Sequence, residues 1–334
     1  MSVTVSEVKK TLPTPGDLHV NAALTNFAVA WKQETARFVA GRIFPEVSVD
    51  KQNDRYFIWE EGDFFRDEAE LKSPSSHPPM MNLRLSTDQY FCDQYHMGGL
   101  VSEADLANHD AAVNKEEALT RAIVNKLLIK REAEWISNFF TTGKWTGSTT
   151  AADLVGGTHS PLWSNYGTSN PVQDLRAQIT HLVRLGIDPK DIKLALGQDV
   201  FSVLLDHPKF LERFEQVQAS ILYEQLMAAV LGFGEVMVAR AAKATSAEGV
   251  SPATISYMHS QNALLTYAPA GVSTDMPSAG KMFSWTGLVG GGENGIRIRR
   301  WFDNDLTGWK IVGDSAFDAK LTSARLGVFF SVYI

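Results

Sequence analysis

Residues 114–142, NKEEALTRAIVNKLLIKREAEWISNFFTT, form the longest helical pattern in the chain and decide its fold. Glu116 and Glu117 fall in the first predicted turn, where the helix dipole favours acidic side chains, and Gly143 ends the pattern. One apolar stripe consists of Val124, Leu128, Trp135 and Phe139. Other apolar residues lie off this stripe, namely Leu119, Ile123, Leu127, Ile129 and Ile136. The sequence therefore predicts a long helix that is contacted from several sides.

Upstream of this helix, two extended runs enclose an irregular segment. Residues 47–59 and 83–95 are rich in β-branched and aromatic residues, which is typical of strands. Between them, WEEGDFFRDEAE (59–70) is followed by KSPSSHPPMM (72–81), whose prolines and serines argue against regular structure. We expect a long β-hairpin or loop that buries little of itself and needs a partner surface.

The first part of the chain has the character of an extended arm. Residues 1–20 carry Pro13, Pro15 and little apolar periodicity. Leu24, Phe27, Ala28 and Trp31 then predict a short helix, and Phe44-Pro45 ends this region.

Downstream of the long helix, helix and strand signals alternate. Asn170 is a predicted helix cap with Pro171 at the first helical position, and residues 170–270 are predicted to form a compact α/β domain. The tail is predicted to be strands again, at 282–288, 296–302, 310–318 and 327–334. We expect this tail to pair with the sheet begun by residues 47–59, which makes the chain α+β.

Composition excludes several classes of protein. The chain has 334 residues and a formal net charge of −7, so it can bury a sizeable core and gives no support to a dedicated nucleic-acid binder. Its single cysteine excludes an intrachain disulfide and a cysteine-rich zinc site. The first residues, MSVTVSEVKK, lack the apolar run of a secretory signal, and no stretch approaches the roughly 18 apolar residues of a membrane helix. We expect a soluble protein made and used in a reducing compartment.

No pattern in the sequence predicts catalysis. GGGENG (290–295) lacks the Lys-Ser/Thr of a phosphate-binding loop and is predicted to be a hairpin turn, and the eight histidines show no metal-ligand spacing. Cys92 and His96 share a face of a predicted strand, but a buried structural thiol is the favoured interpretation of Cys92. The prediction is therefore no catalytic residue, no cofactor and no metal.

The predicted interaction residues are an acidic cluster and a basic run. The cluster comprises Glu60, Glu61, Asp63, Asp67, Glu68 and Glu70, and the run comprises Arg297, Arg299 and Arg300. Strand alternation places Arg297 and Arg299 on one face and Arg300 on the other. We expect the acids to contact these arginines in a neighbouring subunit; a divalent-ion site and a solvated loop are the alternatives.

Several stretches, in the same order along the chain, resemble the major capsid protein of tailed bacteriophages, the capsid fold shared with encapsulin shells. They are FVAGRIFPEVSVDKQNDRYFIWEEGDFFRDEA (38–69), KLLIKREAEWISNFFTTGKW (126–145), LALGQDVFSVLLDHP (194–208), SAGKMFSWTGL (278–288) and GIRIRRW (295–301). The resemblance implies an N-terminal arm at 1–50, an extended loop with flanking strands at 51–96, and a peripheral domain with the spine helix at 97–169. It further implies an axial domain at 170–275 and returning peripheral strands at 276–334.

The resemblance also implies a function without enzymatic activity. The chain would assemble with itself, as hexamers and pentamers, into an icosahedral shell that encloses double-stranded phage DNA without reading its sequence. Scaffold, portal and decoration proteins are the further partners, no membrane is involved, and the shell would be assembled in the host cytoplasm and found in the virion. The alternatives are an encapsulin-like nanocompartment shell protein and an intracellular α/β enzyme whose catalytic unit is 170–270.

Overall fold

A computed structural model describes residues 37–59, 63, 66–69, 71, 77, 79–107, 115–214, 223–259, 261–269, 277–289 and 295–334. The predicted arm at 1–20, the short helix at 24–31, Glu60, Glu61 and most of GGGENG lie outside the described residues.

Helices and strands alternate along most of the described chain. The helices are α1 Ala40–Ile43, α2 Glu103–Ala107, α3 Lys115–Phe139, α4 Pro171–Val183, α5 Gln198–Leu205, α6 Pro208–Phe214, α7 Tyr223–Leu231 and α8 Thr286–Val289. The strands are β1 Glu46–Val49, β2 Asn53–Trp59, β3 Leu85–Phe91, β4 Asp93–Ser102, β5 Leu154–Val155, β6 Ile192–Gly197, β7 Glu235–Ala239, β8 Ala242–Ala244, β9 Ile255–Tyr257, β10 Ala263–Tyr267, β11 Gly280–Trp285, β12 Ile296–Asp303, β13 Gly308–Leu321 and β14 Gly327–Ser331. The chain is thus α+β, as predicted.

Two five-stranded sheets organise these elements. In the first sheet the order is β1-β11-β13-β12, and β4 pairs with β13. In the second sheet the order is β5-β14-β10-β6-β7. Two further pairs of strands, β2–β3 and β8–β9, are separate hairpins.

The tail joins both sheets, so its predicted pairing is only partly right. Strand β11 pairs in parallel with β1, and β13 and β12 extend the same sheet, as expected. Strand β14 instead pairs with β10 and β5 of the second sheet. Its residues are all buried there, between two other strands, which accounts for the consecutive apolar residues Val328, Phe329 and Phe330. The division into arm, loop, peripheral and axial parts stays a prediction.

The long helix α3 packs against the first sheet through a different stripe from the one predicted. Its buried residues are Ile123, Leu127, Leu128, Arg131, Glu132 and Trp135. Val124 and Phe139 are half-buried. A Cβ atom on Gly313 of β13 would lie 2.6 Å from an Ile123 methyl group, so the sheet needs glycine where the helix approaches it. The stripe was missed because its centre carries two charged residues, and apolar periodicity does not count them.

Arg131 and Glu132, the two charged residues of this stripe, connect the start of the described chain to α3. Both carboxylate oxygens of Glu132 accept backbone hydrogen bonds, from Val39 N at 3.2 Å and Ala40 N at 3.0 Å, and thereby satisfy the start of α1. His259 Nε2 donates to the same carboxylate at 2.7 Å. Arg131 forms an ion pair with Glu46 of β1 at 2.9 Å. Glu132 thus joins α1, α3 and the segment after β9 at one buried point.

Replacement of Glu132 by alanine is expected to lower the free energy of unfolding by about 3 kcal/mol, because two buried amide groups and His259 lose their acceptor. Urea denaturation followed by circular dichroism measures the change. The matched control is Glu134→Ala on the same helix, which removes only a pair with Lys130 and should cost less than about 0.5 kcal/mol. Equal losses for the two variants would show that the Glu132 junction contributes nothing special.

Candidate assembly surface

The β2–β3 hairpin is held to the first sheet by a small apolar cluster. Its strands pair from Asn53 opposite Phe91 to Trp59 opposite Leu85. At the near end, Tyr90 stacks on Phe283 of β11 with ring centroids 4.5 Å apart, and Tyr56 contacts the same ring at 5.2 Å. Ile58, one residue before the far end of β2, packs against the same cluster, which holds the hairpin to the first sheet.

Cys92 lies in the same cluster and is buried. Burial raises the pKa of its thiol to about 12, so the reactive thiolate is scarce at neutral pH. The predicted burial of the Cys92 thiol is therefore confirmed.

The far end of the hairpin exposes large apolar side chains. Leu71 is 97% exposed and Met80 is 91% exposed. Met81, Leu83 and Leu85 are also exposed there, and Phe57 and Phe91 are exposed along the two strands. A concentration of apolar surface on one projecting element is the usual mark of a contact surface.

Asp63 is not available to a neighbouring molecule. Its side chain is only 4% exposed and is held by Arg84, whose backbone N and Nη2 both donate to the carboxylate at 2.9 Å. These hydrogen bonds hold the pKa of Asp63 below its usual value. Asp67 and Glu68 are exposed, and Glu68 lies 3.6 Å from Arg66. The acids that can reach a partner are therefore Asp67 and Glu68 among the described residues.

The three predicted arginines divide between the two faces of the first sheet, as alternation predicted. Arg299 forms a two-pronged contact with Asp314, from Nε at 2.5 Å and Nη2 at 2.9 Å, and Arg297 lies 3.5 Å from the same carboxylate. Arg300 instead pairs with Glu116 of α3 at 2.8 Å and covers the ring of Trp309 at 3.9 Å. Arg300 thus belongs to the helix-covered face, and the other two belong to the open face.

A shallow pocket of about 360 Å³ opens beside Arg297 and Arg299. Its walls come from β4, α8, β12 and β13, and its lining residues are Gln94, Tyr95, His96, Leu288, Arg297, Arg299 and Asp314. His96 is exposed and is directly opposite Asp314 in the β4–β13 pairing. The pocket is therefore a basic recess on the face of the sheet that the long helix leaves uncovered.

In the described part of the chain, no group of three or more metal-ligating side chains comes together. Likewise, no described helix is long and apolar enough to cross a membrane.

Comparison with known proteins places this arrangement in a recognised fold. No family model and no curated protein matches the chain. Among solved structures, a phage-related protein from Bordetella bronchiseptica is similar at 17% sequence identity and a TM-score of 0.64, over 94% of this chain and 97% of that one. The capsid of Cyanophage P-SCSP1u is similar at 10% identity and a TM-score of 0.54, over 86% of each chain. The mature capsid of bacteriophage PhiM1 is similar at 10% identity and a TM-score of 0.53, over 86% of this chain and 85% of that one.

The chain has the bacteriophage capsid fold. The resemblance stated from the sequence is thereby confirmed at the level of fold, and the similarity extends over most of the chain and is not confined to one sheet.

Within this capsid fold, sequence reasoning missed the partners of the predicted charges. Arg84 lies 21 residues from Asp63, and Asp314 lies 15 residues from Arg299. The second contact follows from the β12–β13 pairing, in which Asp314 is opposite Arg297. The two strands were predicted, but their register was not, and a shift by one residue would have moved Asp314 to the other face.

Replacement of Asp63 by asparagine is expected to free the far end of the hairpin without unfolding the protein, because the contact with Arg84 loses its charge. Tryptic cleavage between residues 63 and 84 should become several-fold faster at neutral pH, whereas the exposed control Asp67→Asn should leave the rate unchanged.

The same contact has a defined pH dependence. Since the folded pKa of Asp63 lies below the ordinary carboxyl value of 3.8, its contribution is complete above that value and is lost as pH falls through the lowered pKa. Protection that disappears already at pH 6 would contradict this assignment.

Proposed function

We propose that the chain is the major capsid protein of a tailed bacteriophage and assembles into an icosahedral shell. The observation that carries the proposal is the projecting β2–β3 hairpin with its exposed apolar residues, of which Leu71 and Met80 are almost fully exposed. A monomer would gain nothing from such an element, since exposed apolar area costs free energy in water. A neighbouring subunit would cover it.

The fold supports the same proposal. The capsids of Cyanophage P-SCSP1u and bacteriophage PhiM1 share this fold over 86% of the present chain. On this proposal the subunits form hexamers and pentamers, the shell encloses double-stranded DNA, and the role is structural, without enzymatic activity. Its place is the virion after assembly in the host cytoplasm, and scaffold, portal and decoration proteins are further partners.

The acidic character of the chain is compatible with a container for DNA. A formal net charge of −7 disfavours a continuous grip on phosphates, which depends on neutralising lysines and arginines. A wall that only encloses DNA needs no such grip. We therefore propose containment without recognition of sequence.

The expressed protein is expected to form closed particles, or at least rings of five or six subunits, when examined by negative-stain electron microscopy and sedimentation. Particles recovered from phage-infected cells should protect double-stranded DNA from nuclease. Particles that carry protein cargo and no DNA would instead identify a nanocompartment shell. A protein that stays monomeric at high concentration across salt, pH and added scaffold protein would contradict shell formation.

Replacement of residues 62–80 by a short Gly-Ser linker is expected to leave the subunit folded and to block assembly. The described residues of this segment lie outside the buried clusters, so core packing should survive their loss. Circular dichroism and a thermal melt report the fold, and sedimentation reports assembly. A variant that still assembles, or one that no longer folds, would show that the segment has a different role.

A further inference from the structure

The pocket on the open face of the first sheet has a local deficit of negative charge. Two guanidinium groups share the single carboxylate of Asp314, and Arg299 occupies both of its oxygens at 2.5 and 2.9 Å. Arg297 is left with one contact at 3.5 Å. Among the described residues, the recess therefore carries one positive charge more than Asp314 neutralises.

Arg297 is also short of hydrogen bonds. Its Nε atom is buried, and within the described residues no acceptor lies within hydrogen-bonding distance of it. Buried donors in native proteins are nearly always satisfied, so this atom is an exception. The Arg297 side chain is 38% exposed, and that exposed part is what an anion entering the recess can reach. The chemistry that fits is a carboxylate or another anion, because a guanidinium binds planar anions in a two-pronged geometry.

The hairpin presents carboxylates of this kind but holds them away from its own pocket. The pocket includes Gln94 and His96, at the near end of the hairpin, just after β3. Arg84 precedes β3 at the far end and fixes Asp63 there. The seven residues of β3 span about 20 Å at ~3.3 Å per residue, so the contact of Arg84 with Asp63 is about one strand length from the near end of the hairpin.

We infer that the pocket formed by His96, Arg297 and Arg299 receives Asp67 and Glu68 of a second copy of this chain. This inference rests on the proposed function, since it requires that copies assemble. An entering carboxylate pairs with Arg297 and removes the charge deficit that Asp314 leaves. Arg300 takes no part, because it lies on the opposite face with Glu116.

The second copy is favoured over a DNA phosphate by the composition of the recess. Asp314 is on its floor and would repel a phosphate that brings no cation of its own. The acidic segment carries Arg66 beside Glu68 at 3.6 Å, which can offset that repulsion. Apolar residues of the same hairpin, such as Met80 and Leu83, would cover Leu100 and Trp301, each 40% exposed and belonging to β4 and β12 of this sheet.

The test is disulfide trapping between two singly substituted chains. Asp67→Cys is expressed separately from His96→Cys, the two are mixed before assembly, and the particles are treated with diamide. Background is low because the only native thiol, Cys92, is buried. We expect up to about half of the chains, the limit for equal amounts mixed at random, to run as crosslinked dimers in non-reducing gels. A control mixture of Asp67→Cys with Lys243→Cys, at an exposed position in the β8–β9 hairpin, should stay uncrosslinked. Gln94→Cys replaces His96→Cys if the latter fails to fold, because it lines the same pocket.

Charge variants provide a second arm. Arg297→Gln should raise the concentration needed for half-assembly about threefold to tenfold and reduce its dependence on salt, whereas Arg300→Gln should leave both unchanged. Arg297→Glu should block assembly, and Asp67→Lys with Glu68→Lys should partly restore it.

The outcomes separate the two proposals. Particles that form without the 67–96 or 67–94 crosslink overturn the docking but not shell formation. An Arg297→Gln effect that appears only in DNA-filled particles assigns the pocket to phosphate and also overturns the docking. The absence of particles or rings from every mixture overturns shell formation and the docking together.

Discussion

The carboxylate of Glu132 is the contact on which the arrangement of the subunit depends. It lies on the long helix, is 1% exposed, and accepts bonds from the backbone of Val39 and Ala40 and from His259. An unpaired carboxylate at this depth would cost several kcal/mol, so all three partners have to be present when the core closes. The helix therefore fixes the position of α1, and through the adjacent Arg131–Glu46 pair it also fixes β1.

This junction determines where the exposed hairpin begins. Strand β1 lies against β11, and only three residues separate it from β2. Tyr56 and Tyr90 then pack on Phe283, which is itself part of β11. A buried charge on the helix is thus connected through one short strand to the anchor of the β2–β3 hairpin. The far end of the hairpin is therefore connected to a base that the buried core holds in place.

Helix caps and strand faces were predicted well because each depends on residues that are close together in the sequence. Asn170 caps α4 by accepting from Gln173 N at 3.2 Å, as a cap residue before Pro171 should. The alternation of Arg297, Arg299 and Arg300 across β12 was likewise correct, since it depends only on the geometry of a strand.

Features that depend on long-range packing could not be predicted in the same way. The buried stripe of α3 includes Arg131 and Glu132, and their partners lie more than 80 residues away. The same limit explains why Asp63 was assigned to a partner surface when Arg84 buries it. Strand β14 was assigned to the wrong sheet because its apolar sequence is compatible with either sheet. The order of the segments along the chain was sufficient to recognise the fold by resemblance. The pairing of segments that are distant in sequence became apparent only in the structure.

The position of β14 has a consequence for biosynthesis. This strand lies between β5 and β10, and β5 is more than 170 residues earlier in the chain. The second sheet therefore lacks the strand between β5 and β10 until residues 327–331 have been synthesised, however early the other strands form. Pairings this distant in sequence are slow to form. A nascent or prematurely terminated chain lacks the strand that joins β5 to the rest of that sheet, so such a chain cannot complete the sheet.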